Sequence, residues 1–85
     1  MSYRVIIPKP VLKQLDSLPN IIHDRIFEEA KKLEDNPRPP GCLKLTGRTA
    51  WRVKVGDYRI IYEINDQERV VMLVTIGHRK EVYRR

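Results

Sequence analysis

The chain has 85 residues, of which 41% are hydrophobic and 33% are charged, so residues 1–85 support one small folded domain with a single modest core. Seventeen Lys and Arg against eleven Asp and Glu give a formal net charge of +6, which favours partners that carry phosphate groups. The single cysteine, Cys42, excludes an internal disulfide framework and a multi-cysteine zinc site, and it indicates a reducing compartment.

The N-terminal part of the chain predicts one strand followed by two helices. Residues 3–7 form a β-branched run that ends at Pro8, so we expect a first strand there. Prolines and Lys9 interrupt the apolar run early, so we expect neither a signal peptide nor a membrane span. We therefore expect a cytoplasmic protein. Apolar residues at helical spacing predict a short helix that has Pro10 in its first turn and stops near Pro19-Asn20, and a second over about residues 21–34 that ends before Pro37.

The C-terminal part predicts a loop and a β-meander. Residues 36–50 are rich in proline and glycine, which predicts a loop with at most a short extended piece. Strands are predicted over residues 51–55, 58–64 and 70–76, the last two joined by a polar turn. The order β-α-α-β-β-β predicts an α+β two-layer domain, with both helices packed on one face of a mostly antiparallel, twisted sheet.

The segment WRVKVGDYRIIY contains the most informative pattern in the chain. Gly56-Asp57 suits a two-residue type II′ turn, and counting outward from it fixes the strand register. The predicted pairs are Val55 with Tyr58, Lys54 with Arg59, Val53 with Ile60, Arg52 with Ile61, and Trp51 with Tyr62. One face is then apolar and aromatic, and the other carries cations. Like charges opposite each other cost up to about 1 kcal/mol, so we expect an anionic partner for Lys54 and Arg59.

A second cluster of cations follows the last predicted strand, in the segment GHRKEVYRR. The strands over residues 58–64 and 70–76 are expected to be antiparallel neighbours. The end of the later strand should therefore lie near the start of the earlier one, where Arg59 lies. Cations from separate parts of the sequence are thus predicted to converge at one end of the sheet.

These motifs together match a known family. The segments WRVKVGDYRIIYEI and GHRKEVYRR, preceded by NPRPPGCLKLTG and two short helices, resemble the RelE toxins of the RelE/ParE superfamily over nearly the whole chain. The resemblance implies a microbial-ribonuclease-like sheet and a small endoribonuclease that cleaves mRNA, in RelE within the ribosomal A site. It also implies a small cognate antitoxin, RelB-like or of another family, as a partner, and no cofactor.

The resemblance also implies roles for individual residues. Arg59 and Arg79 match the phosphate-stabilising arginines of the family, and Arg79 can also protonate the leaving oxygen. Arg52 and Lys54 match a basic pair on the preceding strand, of which one acts as the base. Tyr83 matches a C-terminal tyrosine that stacks on or orients a nucleobase.

The chain departs from RelE at two positions that bear on this assignment. Arg79 and Tyr83 are closer together than in RelE, so the match of Tyr83 is weaker than that of Arg79. Position 52 carries Arg rather than Lys, and Arg deprotonates reluctantly, which moves the base assignment toward Lys54 or His78. A histidine suits proton transfer near neutral pH.

Alternatives remain open at this point. Arg59 could be a structural cation paired with Glu63 or Asp57. Lys44 and Arg48, in the predicted loop, are candidate contacts to the RNA backbone, with simple solvation as the alternative. No metal site is predicted, because no group of carboxylates, histidines or cysteines has metal-ligand spacing. Two other functions share these features: a ParE-like inhibitor of DNA gyrase, and an RNA-binding module without catalysis.

Overall fold

Two helices pack on one face of a five-stranded sheet in the computed structural model, which describes residues 2–80. Along this part of the chain the elements are β1 (Arg4–Ile6), α1 (Lys9–Asp16), α2 (Asn20–Lys32), β2 (Leu43–Lys44), β3 (Trp51–Val55), β4 (Tyr58–Asn65) and β5 (Val70–His78). The predicted α+β, two-layer architecture is confirmed.

The sheet has the strand order β1-β5-β4-β3-β2. Strand β1 runs parallel to β5, and all other neighbouring pairs in the described chain are antiparallel. The connection from β1 to β5 contains both helices and strands β2 to β4, and it provides the long crossover that parallel neighbours require. Strand β2 is the short extended piece expected within the loop over residues 36–50, and it pairs with the start of β3.

The β3–β4 hairpin has the register that was predicted from its turn. All five predicted pairs are present, from Val55 opposite Tyr58 to Trp51 opposite Tyr62. Gly56 has a φ of 60°, while Asp57 has no positive φ, which fits the predicted type II′ turn. The turn therefore fixes which side chains share a face of the sheet.

The core lies between the helices and the predicted apolar face of the hairpin. Leu15 of α1 and Ile26 of α2 are fully buried against Ile60 and Tyr62 of β4 and Leu73 of β5. Helix α1 ends at Asp16, before the predicted stop near Pro19-Asn20, and the Ser17 hydroxyl donates to the Gln14 carbonyl there. Such a local bond competes with continuation of the helix.

Helix α1 also completes the edge of β5. Strand β1 pairs only with residues 70–72 of β5, so the later part of that edge lacks a strand neighbour in the described chain. The Gln14 side chain takes this place: its Oε1 accepts the Ile76 N–H at 2.8 Å, and its Nε2 donates to Thr75 Oγ1 at 3.1 Å. These bonds hold the end of β5 next to the hairpin.

The proline-rich segment before β2 is tied to the sheet by side chains. The buried Tyr62 hydroxyl donates to the Pro37 carbonyl at 2.8 Å. Arg38 lies over the Trp51 ring, 5.1 Å from its centroid, and its Nη2 donates to Asp66 Oδ2 at 2.9 Å. This part of the predicted loop is therefore an ordered wrap from the helical layer to the sheet.

Candidate functional site

The candidate site lies where the β3–β4 hairpin turns and β5 ends. Lys54 is directly opposite Arg59, and Arg59 is opposite Gly77 of β5. Beyond β5, the Arg79 N–H donates to the Asp57 carbonyl at 2.8 Å, which holds the exposed Arg79 beside the turn. The backbone thus brings the three cations predicted from separate segments to one end of the sheet.

Arg59 is the most constrained cation of this group. It is only 8% exposed, and its Nη1 donates to the Gly56 and Tyr58 carbonyls at 3.3 and 3.1 Å. Its Nε is buried without a hydrogen-bond partner, and no carboxylate among residues 2–80 forms an ion pair with it. In the described chain the alternative of a structural pair with Glu63 or Asp57 is therefore wrong.

Lys54 differs from Arg59 in its exposure. Its side chain is exposed, and it makes no hydrogen bond or ion pair within the part of the chain that the structure describes. It is therefore accessible to an anionic group that approaches Arg59. A buried, fixed guanidinium beside an exposed amine suits the recognition of one phosphate by two different donors.

His78 is not placed together with Lys54 and Arg59. It is opposite Tyr58, whose ring packs against the core on the helix-covered side, and side chains of paired residues share a face. Arg59 is adjacent to Tyr58 and hence points to the other face. In addition, His78 Nδ1 accepts the Lys80 N–H at 3.2 Å, which leaves the proton of the neutral ring on Nε2.

The three other cations singled out from the sequence, Arg52, Lys44 and Arg48, occupy different places. Arg52, half-buried, lies two residues before Lys54 and so shares its face. Exposed Lys44 is opposite Trp51 and therefore lies on the helix-covered side at the sheet edge. Arg48 is exposed in the turn between β2 and β3. Only Arg52 is thus brought close to the cationic hairpin face.

That face is not uniformly cationic, which corrects the sequence-based picture of an open basic surface. Ile61 is completely buried in a small cluster with Ala50, against which Leu45 and Val74 pack. The segment between β2 and β3 folds back to form this cluster, and the Leu45 N–H donates to the Ala50 carbonyl at 2.9 Å. The cations are consequently concentrated at the hairpin end of the face.

Arg25 of α2 also lies against the hairpin turn, although the sequence did not point to it. Only the packing of α2 on β3 places it there, since no local motif marks it.

Tyr83 lies outside the described residues. Within residues 2–80, no three His, Cys, Asp or Glu side chains gather to hold a metal ion, and no helix is long and apolar enough to cross a bilayer.

Comparison with known proteins gives consistent similarities. Residues 5–83 match the family described as ParE toxin of type II toxin-antitoxin system, parDE. A Methanocaldococcus jannaschii protein that bears the toxin name RelE1 is 30% identical over 88 residues, covering 99% of this chain and 98% of that protein.

Solved structures show the same architecture. The archaeal RelE-RelB complex from Pyrococcus horikoshii contains a chain that is 35% identical, with a TM-score of 0.83 over 96% of this chain and 100% of that one. A mutant of the E. coli toxin RelE in the free state is 21% identical, with a TM-score of 0.81 over 98% of this chain and 90% of that one. The latter likeness concerns the fold alone.

Proposed function

The chain belongs to the ParE toxin family of type II toxin-antitoxin systems, and from this premise we propose that it is a ribosome-dependent endoribonuclease that cleaves mRNA and inhibits translation. Among these toxins it is of the RelE type, as its similarity to RelE1 and to the archaeal RelE chain indicates. The proposed substrate is an mRNA in the ribosomal A site, so the proposed place of action is the cytoplasm.

The observation that carries the proposal is the buried Arg59 guanidinium without a carboxylate partner in the described chain. A buried charge that lacks a counter-ion costs several kcal/mol by general estimates, and a small domain tolerates this cost only with difficulty. A phosphate group would provide the missing counter-ion. Lys54, directly opposite Arg59, would bring its amine to the same reacting group.

The proposed reaction is an intramolecular transesterification. The ribose 2′-hydroxyl attacks the adjacent phosphorus, its proton passes to Lys54 as the base, and the bond from phosphorus to the 5′ oxygen breaks. Arg59 stabilises the negative charge that develops on the pentacoordinate phosphorus, and Arg79 donates a proton to the departing 5′ oxygen. The products are a 2′,3′-cyclic phosphate and a 5′-hydroxyl, and no step of this scheme uses a metal ion.

Substitution of the two arginines tests the proposal. We expect Arg59→Ala and Arg79→Ala to abolish growth arrest on induction and to abolish mRNA cleavage, mapped by primer extension. Arg4→Ala removes an exposed cation from β1, which lies opposite Val70 at the other end of β5, and serves as the matched control. Full toxicity of a soluble double mutant would eliminate this assignment. Steep salt-dependent RNA binding without cleavage would instead identify a non-catalytic RNA-binding module.

One finding favours a second candidate function. The matching family is described by the toxin ParE, and the fold is compatible with a ParE-like inhibitor of DNA gyrase. Such an inhibitor has no need of the buried guanidinium or of its lysine neighbour. A gyrase supercoiling assay, run beside primer extension on mRNA from induced cells, distinguishes the two functions.

A type II toxin has a protein antitoxin, and we propose a RelB-like protein as the partner here. RelE chains similar to this one have been solved in complexes whose names include RelB, from Pyrococcus horikoshii and from E. coli. Exposed apolar side chains of the described chain are candidate contacts for it, among them Ile21 at 76% and Leu43 at 54% exposure. Co-purification with the product of an adjacent acidic reading frame tests this partner.

A further inference from the structure

Arg25 reaches the hairpin turn from the helical layer. Its Nη1 and Nη2 lie 3.8 and 3.9 Å from the position that a β-carbon would occupy on Gly56, so the forked end of the side chain rests against the turn. Arg25 is exposed, and it has no hydrogen bond or ion pair with any described residue. Its donors are therefore available to a ligand in solvent.

The turn consequently has a guanidinium on each of its two sides. Arg59 approaches from the sheet and donates to the Gly56 carbonyl at 3.3 Å, while Arg25 approaches from α2. Lys54 lines the same depression as Arg25. Gly56 carries no side chain between these groups, so an anion can come close to the backbone of the turn.

The acidic residues near this depression leave its positive charge in place. Glu28 and Glu29 form its other wall, but the Glu29 carboxylate is already paired with Lys32 Nζ at 3.0 Å. Glu28 is exposed and makes no ion pair with Arg25 in the described chain. The depression thus has one unpaired carboxylate beside Arg25, and it shares Lys54 with the group of cations proposed to act at the reacting phosphate.

From this geometry we infer that Arg25 forms a second phosphate subsite beside Lys54, and that this subsite binds the phosphodiester next to the one that is cleaved. The inference rests on the proposed function and adds to it a direction: the message backbone passes over the hairpin turn, from Arg59 toward α2. Arg25 acts there as a binding residue and takes no part in bond breaking. A backbone contact of this kind positions RNA without reading its sequence.

The test measures single-turnover cleavage of a short message in programmed ribosomes at increasing toxin concentration. We expect Arg25→Gln to raise the half-saturating concentration several-fold and to leave the maximal rate unchanged, because binding alone is lost. The dependence of log affinity on log salt should fall by about 0.7, the value for one contact to single-stranded nucleic acid. Lys31→Gln removes the same charge from another side of α2 and should change neither quantity.

A chemical change in the message identifies the contact. A neutral methylphosphonate can be placed on either side of the cleaved linkage. At one of these two positions it should raise the half-saturating concentration of the wild type by a factor similar to that of Arg25→Gln. At that position it should have no additional effect on Arg25→Gln, since the two changes remove the same interaction.

The outcomes separate the two proposals. The subsite would be overturned if the effects of Arg25→Gln and the methylphosphonate were additive. It would also be overturned if Arg25→Gln left the half-saturating toxin concentration unchanged. In both cases cleavage by the wild type would still support the nuclease. If Arg25→Gln weakened only the binding of an acidic antitoxin, the subsite would also be overturned. If the wild type left the message intact, the proposed function would fall and the subsite with it.

Discussion

His78 packs edge-on against Tyr58 across strands β4 and β5, with ring centroids 5.5 Å apart and ring planes inclined at 77°. This contact holds the imidazole on the helix-covered side of the sheet, whereas Arg59 projects to the other side. The suitability of histidine for proton transfer near neutral pH had favoured His78 as a catalytic base. The alternation of side chains along β5 instead favours Lys54, which is directly opposite Arg59.

The first prediction compares these two candidate bases. We expect Lys54→Met to reduce the rate of mRNA cleavage by on the order of 10²-fold or more, the usual range for loss of a proton acceptor. His78→Gln should retain most of the wild-type rate, because its ring faces away from the phosphate. Single-turnover cleavage as a function of pH measures both. A large loss with His78→Gln and a small one with Lys54→Met would reverse the assignment.

The second prediction concerns the opposing demands of stability and activity at Arg59. Arg59→Met keeps an unbranched side chain of similar length but removes the buried charge that lacks a carboxylate partner in the described chain. Replacement of a buried charge by a well-packed apolar group is often neutral or stabilising. We expect the melting temperature to stay the same or rise, while cleavage falls on the order of 10²–10³-fold.

Thermal melts by circular dichroism, beside the cleavage assay, measure both effects. Arg4→Met is the control, because Arg4 is exposed on β1, opposite Val70 at the other end of β5, and it should alter neither quantity. A clear drop in melting temperature with Arg59→Met would mean that the two carbonyl contacts of Arg59 make it a structural residue.

The local part of the fold could be predicted from sequence because local chemistry determines it. Gly56 in the turn and the alternation of apolar and charged residues set the hairpin register pair by pair. The parallel pairing of β1 with β5 could not be derived in this way. It joins residues 4–6 to residues 70–72, and it depends on how two helices cross the sheet.

The site was predictable only at the level of the strand that carries each residue. The convergence of Lys54, Arg59 and Arg79 followed from antiparallel neighbours, and the structure shows it. The burial of Ile61 under the segment between β2 and β3 could not be predicted, because no local pattern shows where a proline-rich loop will pack. Arg25 was missed for the same reason, since only the tertiary packing of α2 places it at the turn.

The third prediction tests the anchor between the proline-rich segment and the sheet. Burial raises the pKa of the Tyr62 hydroxyl, which therefore remains a donor to the Pro37 carbonyl over the physiological range. Tyr62→Phe leaves this buried carbonyl without its partner, which costs about 1–3 kcal/mol. Each kcal/mol corresponds to about 4–8 °C in melting temperature for a domain of this size.

A second tyrosine provides the matched control for Tyr62→Phe. Tyr58 is half-buried, and its hydroxyl makes no hydrogen bond within residues 2–80. Tyr58→Phe should therefore leave the melting temperature close to that of the wild type. Equal losses for the two variants in calorimetry would show that the bond to Pro37 does not anchor the segment.

The fourth prediction follows from Asp66, which joins the β4–β5 turn to the N-terminus and to the proline-rich segment. Hydrogen bonds from Arg38 and then from Tyr3 lower the pKa of the Asp66 carboxyl below its ordinary value. Because the pKa is lower in the folded state, the stabilisation is complete above the unfolded-state pKa of about 3.9 and is lost as pH falls through the folded-state pKa. Asp66→Asn should therefore have a lower melting temperature than the wild type at neutral pH, and the gap should close in acid. Calorimetry from neutral pH down to about pH 2 measures this difference in melting temperature.

Asp35→Asn is the control for Asp66→Asn, since the exposed Asp35 carboxylate has no partner among the described residues. A difference in melting temperature that stayed constant through the acid range would show that the contribution of Asp66 does not depend on its charge.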